Sequence, residues 1–240
     1  PPLITSTLQQ AAGTEFGFSP RRTMQIAQEL YEGVPIEGKP VGLITYMRTD
    51  SVRVADSAIA QAREFIKKAF GKEFLSEKPR RFKNKTRAQD AHEAIRPTDV
   101  FRTPESVAPY LRPDQLKLYD LIWRRFLATQ MAEGIWIRRK VTVRLGELRF
   151  QASTSWMEFP GIGRVLALEK LPDEGVPLPP LSPGQPLPRP EILLEEKKTE
   201  PPKRYTEAGL VKKLEQEGIG RPSTYAQIVS VIQERGYVRR

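Results

Sequence analysis

The residues with the most chemical potential lie in one stretch, Val41-Gly-Leu-Ile-Thr-Tyr-Met-Arg-Thr-Asp-Ser51. Its β-branched and apolar start and polar exit read as a strand from Gly42 running into a loop at Ser51. Side chains of a strand alternate between faces, which puts Tyr46, Arg48 and Asp50 on one face and Leu43, Thr45 and Met47 on the other. A phenol and a guanidinium so placed can meet a phosphodiester together, because arginine presents a planar fork of donors to phosphate oxygens. A half-buried tyrosine beside a surface arginine is also an ordinary feature of a strand, so the rest of the chain has to decide between the two.

The second candidate is Ala88-Gln-Asp-Ala-His-Glu-Ala-Ile-Arg-Pro-Thr-Asp99, which reads as a short Ala-rich helix stopped at Pro97. His92 is the one histidine of the chain and is able to donate to a phosphate or relay a proton. Asp90, Glu93 and Arg96 surround it. Just before it, Lys78 to Arg87 is mostly basic with one aromatic, either a solvated loop or a phosphate contact.

Composition narrows the partner. The 240 residues carry a net charge of +10, which points to a polyanion, nucleic acid ahead of an acidic membrane surface. The absence of cysteine excludes disulfides and thiolate metal sites, and one histidine excludes multi-histidine metal centres. No apolar run is long enough to span a membrane, and the start carries no signal-peptide pattern. The abrupt start at Pro1 and the stop at Arg240 suggest a piece of a longer protein.

The elements that must position these residues follow in order. Thr5 or Ser6 is expected to cap a first helix broken by Gly17. Ser19 and Pro20 start a second helix that carries Thr23, Ile26, Ala27, Leu30 and Tyr31 and ends near Gly33. A helix capped by Asp56 or Ser57 buries Ile59, Ala62, Phe65, Ile66 and Ala69. Asp114 caps a long helix with Leu118, Leu121, Ile122, Trp123, Phe126, Leu127 and Met131 on its core face. From Gly134 the period changes to two. Strands over 135–145 and 147–153 joined at Gly146, a third over 164–171 and a fourth over 192–198 make a small antiparallel sheet, interrupted by the proline-rich linker Pro172–Pro190. A second helix-turn-helix closes the chain, with Thr206 and Ser223 or Thr224 as caps. Two such units in a basic chain favour DNA contact, although helix pairs are also common packing units.

Four phrases, Ile4-Thr-Ser-Thr-Leu-Gln-Gln-Ala-Ala12, Leu43-Ile-Thr-Tyr-Met-Arg-Thr-Asp-Ser51, Asp90-Ala-His-Glu-Ala-Ile-Arg-Pro97 and Glu217-Gly-Ile-Gly-Arg-Pro-Ser-Thr-Tyr225, occur in the same order in bacterial type IA DNA topoisomerases, which the chain resembles from end to end. The resemblance implies that Tyr46 is the nucleophile that forms a 5′-phosphotyrosine in single-stranded DNA. It implies that Arg48 holds the scissile phosphate and that His92 contacts a phosphate close by. Arg221, Ser223 and Thr224 would bind the incoming single strand. Asp50 would orient Arg48, and Arg96 would add to DNA binding.

The fold implied is α+β and multidomain. Residues 1–133 would form a winged-helix-like nucleophile domain, 134–200 an antiparallel β arch, and 201–240 a helical base segment for single-stranded DNA. The family's toprim domain, which binds Mg²⁺, has no match in these residues, and Asp90 and Glu93 do not replace it. The isolated piece is therefore expected to bind DNA without relaxing supercoils, with the toprim half and DNA as its partners, in the cytoplasm at the nucleoid. The topoisomerase half of a reverse gyrase, a winged-helix transcription factor and a structural piece without DNA affinity stay open as alternatives.

Overall fold

The computed structural model describes residues 1–84, 92–166, 178–188 and 191–239. Helices α1 (Thr5–Phe16) and α2 (Pro20–Glu32) are followed by a short hairpin, β1 (Val34–Ile36) with β2 (Lys39–Val41). Helix α3 (Asp56–Ala69), the short α4 (Pro104–Val107) and α5 (Pro113–Ala128) complete the helical body. The hairpin of β3 (Ile135–Leu145) and β4 (Leu148–Phe159) comes next. Helices α6 (Gly163–Leu166), α7 (Glu207–Gln216) and α8 (Tyr225–Glu234) end the chain. Among the described residues no helix is long and apolar enough to cross a membrane.

The sequence pattern explains the body directly. Leu8 and Ala12 of α1, Ile26, Ala27 and Leu30 of α2, Ala58, Ala62 and Ile66 of α3 and Leu118, Ile122, Phe126 and Leu127 of α5 fall at helical spacing and share one buried cluster. The two polar aromatics of α5 keep their polar atoms satisfied inside it. Tyr119 donates its hydroxyl to the Arg102 carbonyl at 2.6 Å, and the Trp123 indole N–H reaches the Val100 carbonyl at 2.9 Å.

Several expectations about caps change. Ser19 does accept the Arg22 N–H at 3.1 Å, with Pro20 at the first helical position, as its type and place require. Thr5 does not cap α1. The cap position is Ile4, whose N–H is taken by the Thr7 hydroxyl at 2.9 Å, and Thr5 turns inward. Ala55 precedes α3, and the Asp56 carboxylate is drawn instead to Arg81, 2.9 Å away. At α5 the cap position is Arg112, its N–H held by the Gln115 side chain at 3.0 Å, while Asp114 pairs with Arg22 of α2. Thr206 caps α7 by accepting the Gly209 N–H at 3.0 Å. Thr224 precedes α8 without capping it, because its hydroxyl already closes the preceding turn on Arg221 N–H at 2.8 Å.

The stretch from Gly42 is extended as far as Tyr46 and bends at Met47 and Arg48, so it is no ladder strand. Its one bridge pairs Ile44 with Pro97. The part of the histidine segment inside the described residues is extended too, not helical: Ile95 bridges Leu3, and Pro97 bridges Ile44. Proline lacks the N–H a helix needs, and the Ile95 N–H goes to the Leu3 carbonyl at 2.8 Å instead. Asp90, with the rest of 85–91, lies outside the described residues.

The four-stranded sheet is a two-stranded hairpin. Gly146 and Glu147 make its turn between the paired Leu145 and Leu148. In place of a third strand, Gly163–Leu166 is one helical turn that buries Val165 against the core, and 167–171 lie outside the described residues. Pro160 ends the hairpin and its carbonyl accepts the Gly163 N–H at 2.7 Å, which turns the chain back at the point where a strand would have continued. Residues 192–198 are extended without a ladder partner, and Leu194 is 95% exposed.

The two helix pairs pack against each other, α7 on α1 and α8 on α2. They keep separate apolar clusters, since Val211, Tyr225 and Val229 form a small one of their own. Gly13 marks the closest approach, where an added Cβ would stand 2.9 Å from the Ala208 Cβ.

Candidate active site and nucleic-acid interface

From Tyr46 onward the stretch alternates. Tyr46 is 41% exposed and Arg48 is exposed, whereas Met47, Thr49 and Ser51 are buried. Burial of the odd-numbered residues fixes the backbone, and the even-numbered side chains project outward from it.

Two strips of chain hold this backbone. On one side Thr5 of α1 reaches the Met47 carbonyl at 2.7 Å and accepts the Thr49 N–H at 2.9 Å. On the other side runs the extended 92–98 segment. Thr45 N–H donates to the Arg96 carbonyl at 2.9 Å, and the Thr45 hydroxyl donates to the Ala94 carbonyl at 2.7 Å. Further along, Ala94 N–H reaches the Arg53 carbonyl at 2.8 Å. His92, at the start of the described part of this segment, lies with its ring beside Tyr46, the centroids 6.3 Å apart.

A third ring completes the cluster. Tyr31 of α2 meets Tyr46 edge-on, at 5.3 Å between centroids and 66° between planes. Helical spacing had grouped Tyr31 with the residues of α2, and nothing local in the sequence signals that it faces the nucleophile candidate.

The remaining expected residues divide. Asp50 lies close enough to Tyr225 to act on it. Burial pushes the Tyr225 phenol up, the Glu215 and Asp50 carboxylates add to the effect, and Arg221 opposes it. The Gly-Arg-Pro-Ser-Thr turn is thus brought to the same end of the molecule as the 46–50 stretch. Within that turn Arg221 and Ser223 are exposed and Thr224 is half-buried, and the Arg221 guanidinium donates to the Gly220 carbonyl at 2.8 Å.

Arg96 is turned inward. Its Nε and a terminal nitrogen lie 3.0 and 2.7 Å from Glu93 Oε2, and the other terminal nitrogen reaches the Pro97 carbonyl at 3.0 Å. In the basic segment, Asn84 accepts the Val52 N–H at 2.8 Å, which ties that segment to the exit of the Tyr46 stretch. Arg80 and Arg81 are ion-paired with Glu133 and Asp56.

An exposed phenol, a guanidinium two residues on and an imidazole form a constellation suited to phosphoryl transfer. The DNA topoisomerase family matches the chain over residues 1–240. The chain belongs to the bacterial type IA DNA topoisomerase family. It is 48% identical over 244 residues to a DNA topoisomerase 1 of Rickettsia felis, covering 99% of this chain and 31% of that protein. It is 45% identical over 241 residues to DNA topoisomerase 1 of Thermotoga maritima, covering 100% of this chain and 37% of that protein. The solved structure of full-length topoisomerase I from Thermotoga maritima superposes on the whole chain with a TM-score of 0.80 at 40% identity, and the match spans 38% of that chain. The chain therefore spans about a third of the length of these topoisomerase relatives.

Mg²⁺ is a cofactor that the topoisomerase family suggests. The donor set here does not fit it. Among the described residues no three His, Cys, Asp or Glu side chains come together, and Glu93 beside the site is held by Arg96.

Proposed function

We propose that these residues form the nucleophile-bearing part of a type IA topoisomerase, which cleaves and reseals one DNA strand to relax negative supercoils by strand passage without ATP. The observation that carries this reading is Tyr46 itself, exposed on a backbone fixed by buried neighbours, with the His92 ring 6.3 Å away and the exposed Arg48 two residues on. In the reaction the Tyr46 phenolic oxygen attacks phosphorus, and the bond from phosphorus to O3′ breaks. The phenol gives up its proton, the 3′ oxygen gains one, and a 5′-phosphotyrosine is left. A phosphotyrosine diester is close in energy to the diester it replaces, so the reverse step reseals the strand. The phenol ionises near pH 10 in the free amino acid, about three units above neutral, so cationic help is needed at the phosphate. Arg48 supplies it, His92 contacts an adjacent phosphate, and Asp50 orients Arg48.

In the same reading Arg221, Ser223 and Thr224 receive the single strand. Residues 1–133, 134–200 and 201–240 act as nucleophile domain, arch and base segment. The Mg²⁺ and its acidic ligands belong to a toprim domain outside these residues, and the enzyme works in the cytoplasm at the nucleoid. Charge supports a DNA partner, at +10 over 240 residues.

The test is trapping of a covalent adduct. The chain is mixed with end-labelled single-stranded DNA and Mg²⁺, with and without a separately made toprim half, and quenched in detergent. A labelled protein band that needs the toprim half and disappears in Tyr46→Phe is the expected result. A band that persists in Tyr46→Phe would remove Tyr46 from the mechanism, and a band without the toprim half would overturn the split site.

A further inference from the structure

Nothing so far gives Tyr31 a task, yet its ring is the nearest aromatic neighbour of the nucleophile, at 5.3 Å against 6.3 Å for His92. Resting on the reading of Tyr46 above, we infer that Tyr31 is a positioning residue whose edge-to-face ring contact holds the Tyr46 phenol in its attacking orientation. A tyrosine side chain turns about two torsions, and in-line attack on phosphorus needs the phenolic oxygen along one direction. Tyr46 stands 41% exposed, so the core does not restrain its ring. An edge-to-face contact does, because the positive ring edge of one aromatic favours the negative face of the other over other approaches.

The backbone around Tyr31 fixes the distance between the two rings. The Leu43 N–H donates to the Leu30 carbonyl at 2.8 Å, pinning the entry of the nucleophile stretch to the last turn of α2. Next to it, a Cβ on Gly42 would come 2.7 Å from the Tyr31 carbonyl oxygen, a separation that only glycine permits. Tyr46 follows three residues after this clamp. Tyr31 is itself 40% exposed and outside the core cluster, so its side chain has a steering role without a folding role.

The contact uses the ring and not the hydroxyl, and this decides the experiment. In the complete enzyme, this chain together with its toprim part, single-turnover cleavage and resealing of a labelled oligonucleotide are measured for Tyr31→Ala and Tyr31→Phe, alongside the dissociation constant for the same oligonucleotide. A lost aromatic pair slows both directions by about two- to tenfold. The cleavage–resealing equilibrium stays unchanged, because an orientation that matters in the transition state alone slows cleavage and resealing by the same factor. Binding of the oligonucleotide is unaltered, and Tyr31→Phe restores the rates. Unchanged rates in Tyr31→Ala would overturn the inference. So would weakened binding in proportion to the rate, which makes Tyr31 a stacking platform for a base, or a Tyr31→Phe variant as slow as Tyr31→Ala, which makes the hydroxyl the active group. The Tyr46 reading is tested apart from this one, by adduct formation in Tyr46→Phe.

Discussion

The Thr5 hydroxyl stands 2.7 Å from the Met47 carbonyl and takes the Thr49 N–H at 2.9 Å, so the first turn of α1 holds both residues that flank Arg48. All three partners are buried. Thr5→Val keeps the shape and removes the hydroxyl, which leaves the Thr49 N–H without its partner. Loss of stability by about 1–3 kcal/mol is expected, the usual range for an orphaned buried group, with Thr5→Ser close to the parent. Denaturant melts measure the first effect. Adduct yield per folded molecule measures the second, and it should fall in Thr5→Val because Tyr46 and Arg48 share the loosened backbone.

Gly13 gives a prediction of unusual sign. In an exposed helix interior, glycine to alanine stabilises by about 1 kcal/mol. Here the new methyl would stand 2.9 Å from the Ala208 Cβ, closer than such atoms come, so α7 must move away. Gly13→Ala should strengthen α1 locally and loosen the docking of α7 and α8. Hydrogen exchange should accelerate in 207–234 and slow or hold in 5–16. Slower exchange in both would show that the seam absorbs a methyl without opening.

What could be read from the sequence follows the range of the interactions. Ser19 with Pro20 starts α2 through contacts within three residues, and the alternation at Tyr46 is written in the stretch itself, so both were legible. The missing strands were not. Whether Ile192 to Lys198 pairs is decided by a partner elsewhere, and its own run of three apolar and four charged residues carries no information about that partner. Thr5 shows the same limit for caps, because a threonine before a helix suits a cap equally well until the Met47 and Thr49 backbones compete for it. The family phrases singled out Tyr46, Arg48 and His92, and the fold sets the His92 ring 6.3 Å from that of Tyr46. Tyr31, Asn84 and the inward turn of Arg96 depend on contacts across the fold, which no local pattern encodes.

Tyr119 sets an alkaline limit. Burial pushes its phenol well above the usual range, with Asp99 adding and Arg102 opposing. The fold thus favours the neutral phenol. The stability this contributes is complete below the unfolded value of about pH 10 and is lost as pH rises from there toward the folded value. Unfolding free energy should decline above about pH 10, and Tyr119→Phe should decline less steeply. At neutral pH the same variant should be less stable by about 1 kcal/mol, through loss of the bond to the Arg102 carbonyl. Equal alkaline slopes for both proteins would exclude Tyr119 as the titrating group.

Arg221 and Arg96 were both expected at DNA, and their surroundings separate them. Arg221 is exposed on the turn beside α8, with its guanidinium on the Gly220 carbonyl, a contact that leaves most of its donors facing solvent. Arg96 is largely withdrawn from solvent, 13% exposed, and its donors already meet Glu93 and the Pro97 carbonyl. A phosphate contact releases counterions, so losing one lowers the slope of log affinity against log salt by about 0.7 for a single strand. Arg221→Ala should lower that slope by about this amount in anisotropy titrations with a single-stranded oligonucleotide, while the melting curve stays near the parent's. Arg96→Ala should do the reverse. Glu93 loses its partner, stability falls by about 1–3 kcal/mol, and the salt slope of the folded protein is unchanged. A lower slope in Arg96→Ala, measured where the variant remains folded, would mean that DNA draws Arg96 away from Glu93 and that the ion pair belongs to the unbound protein alone.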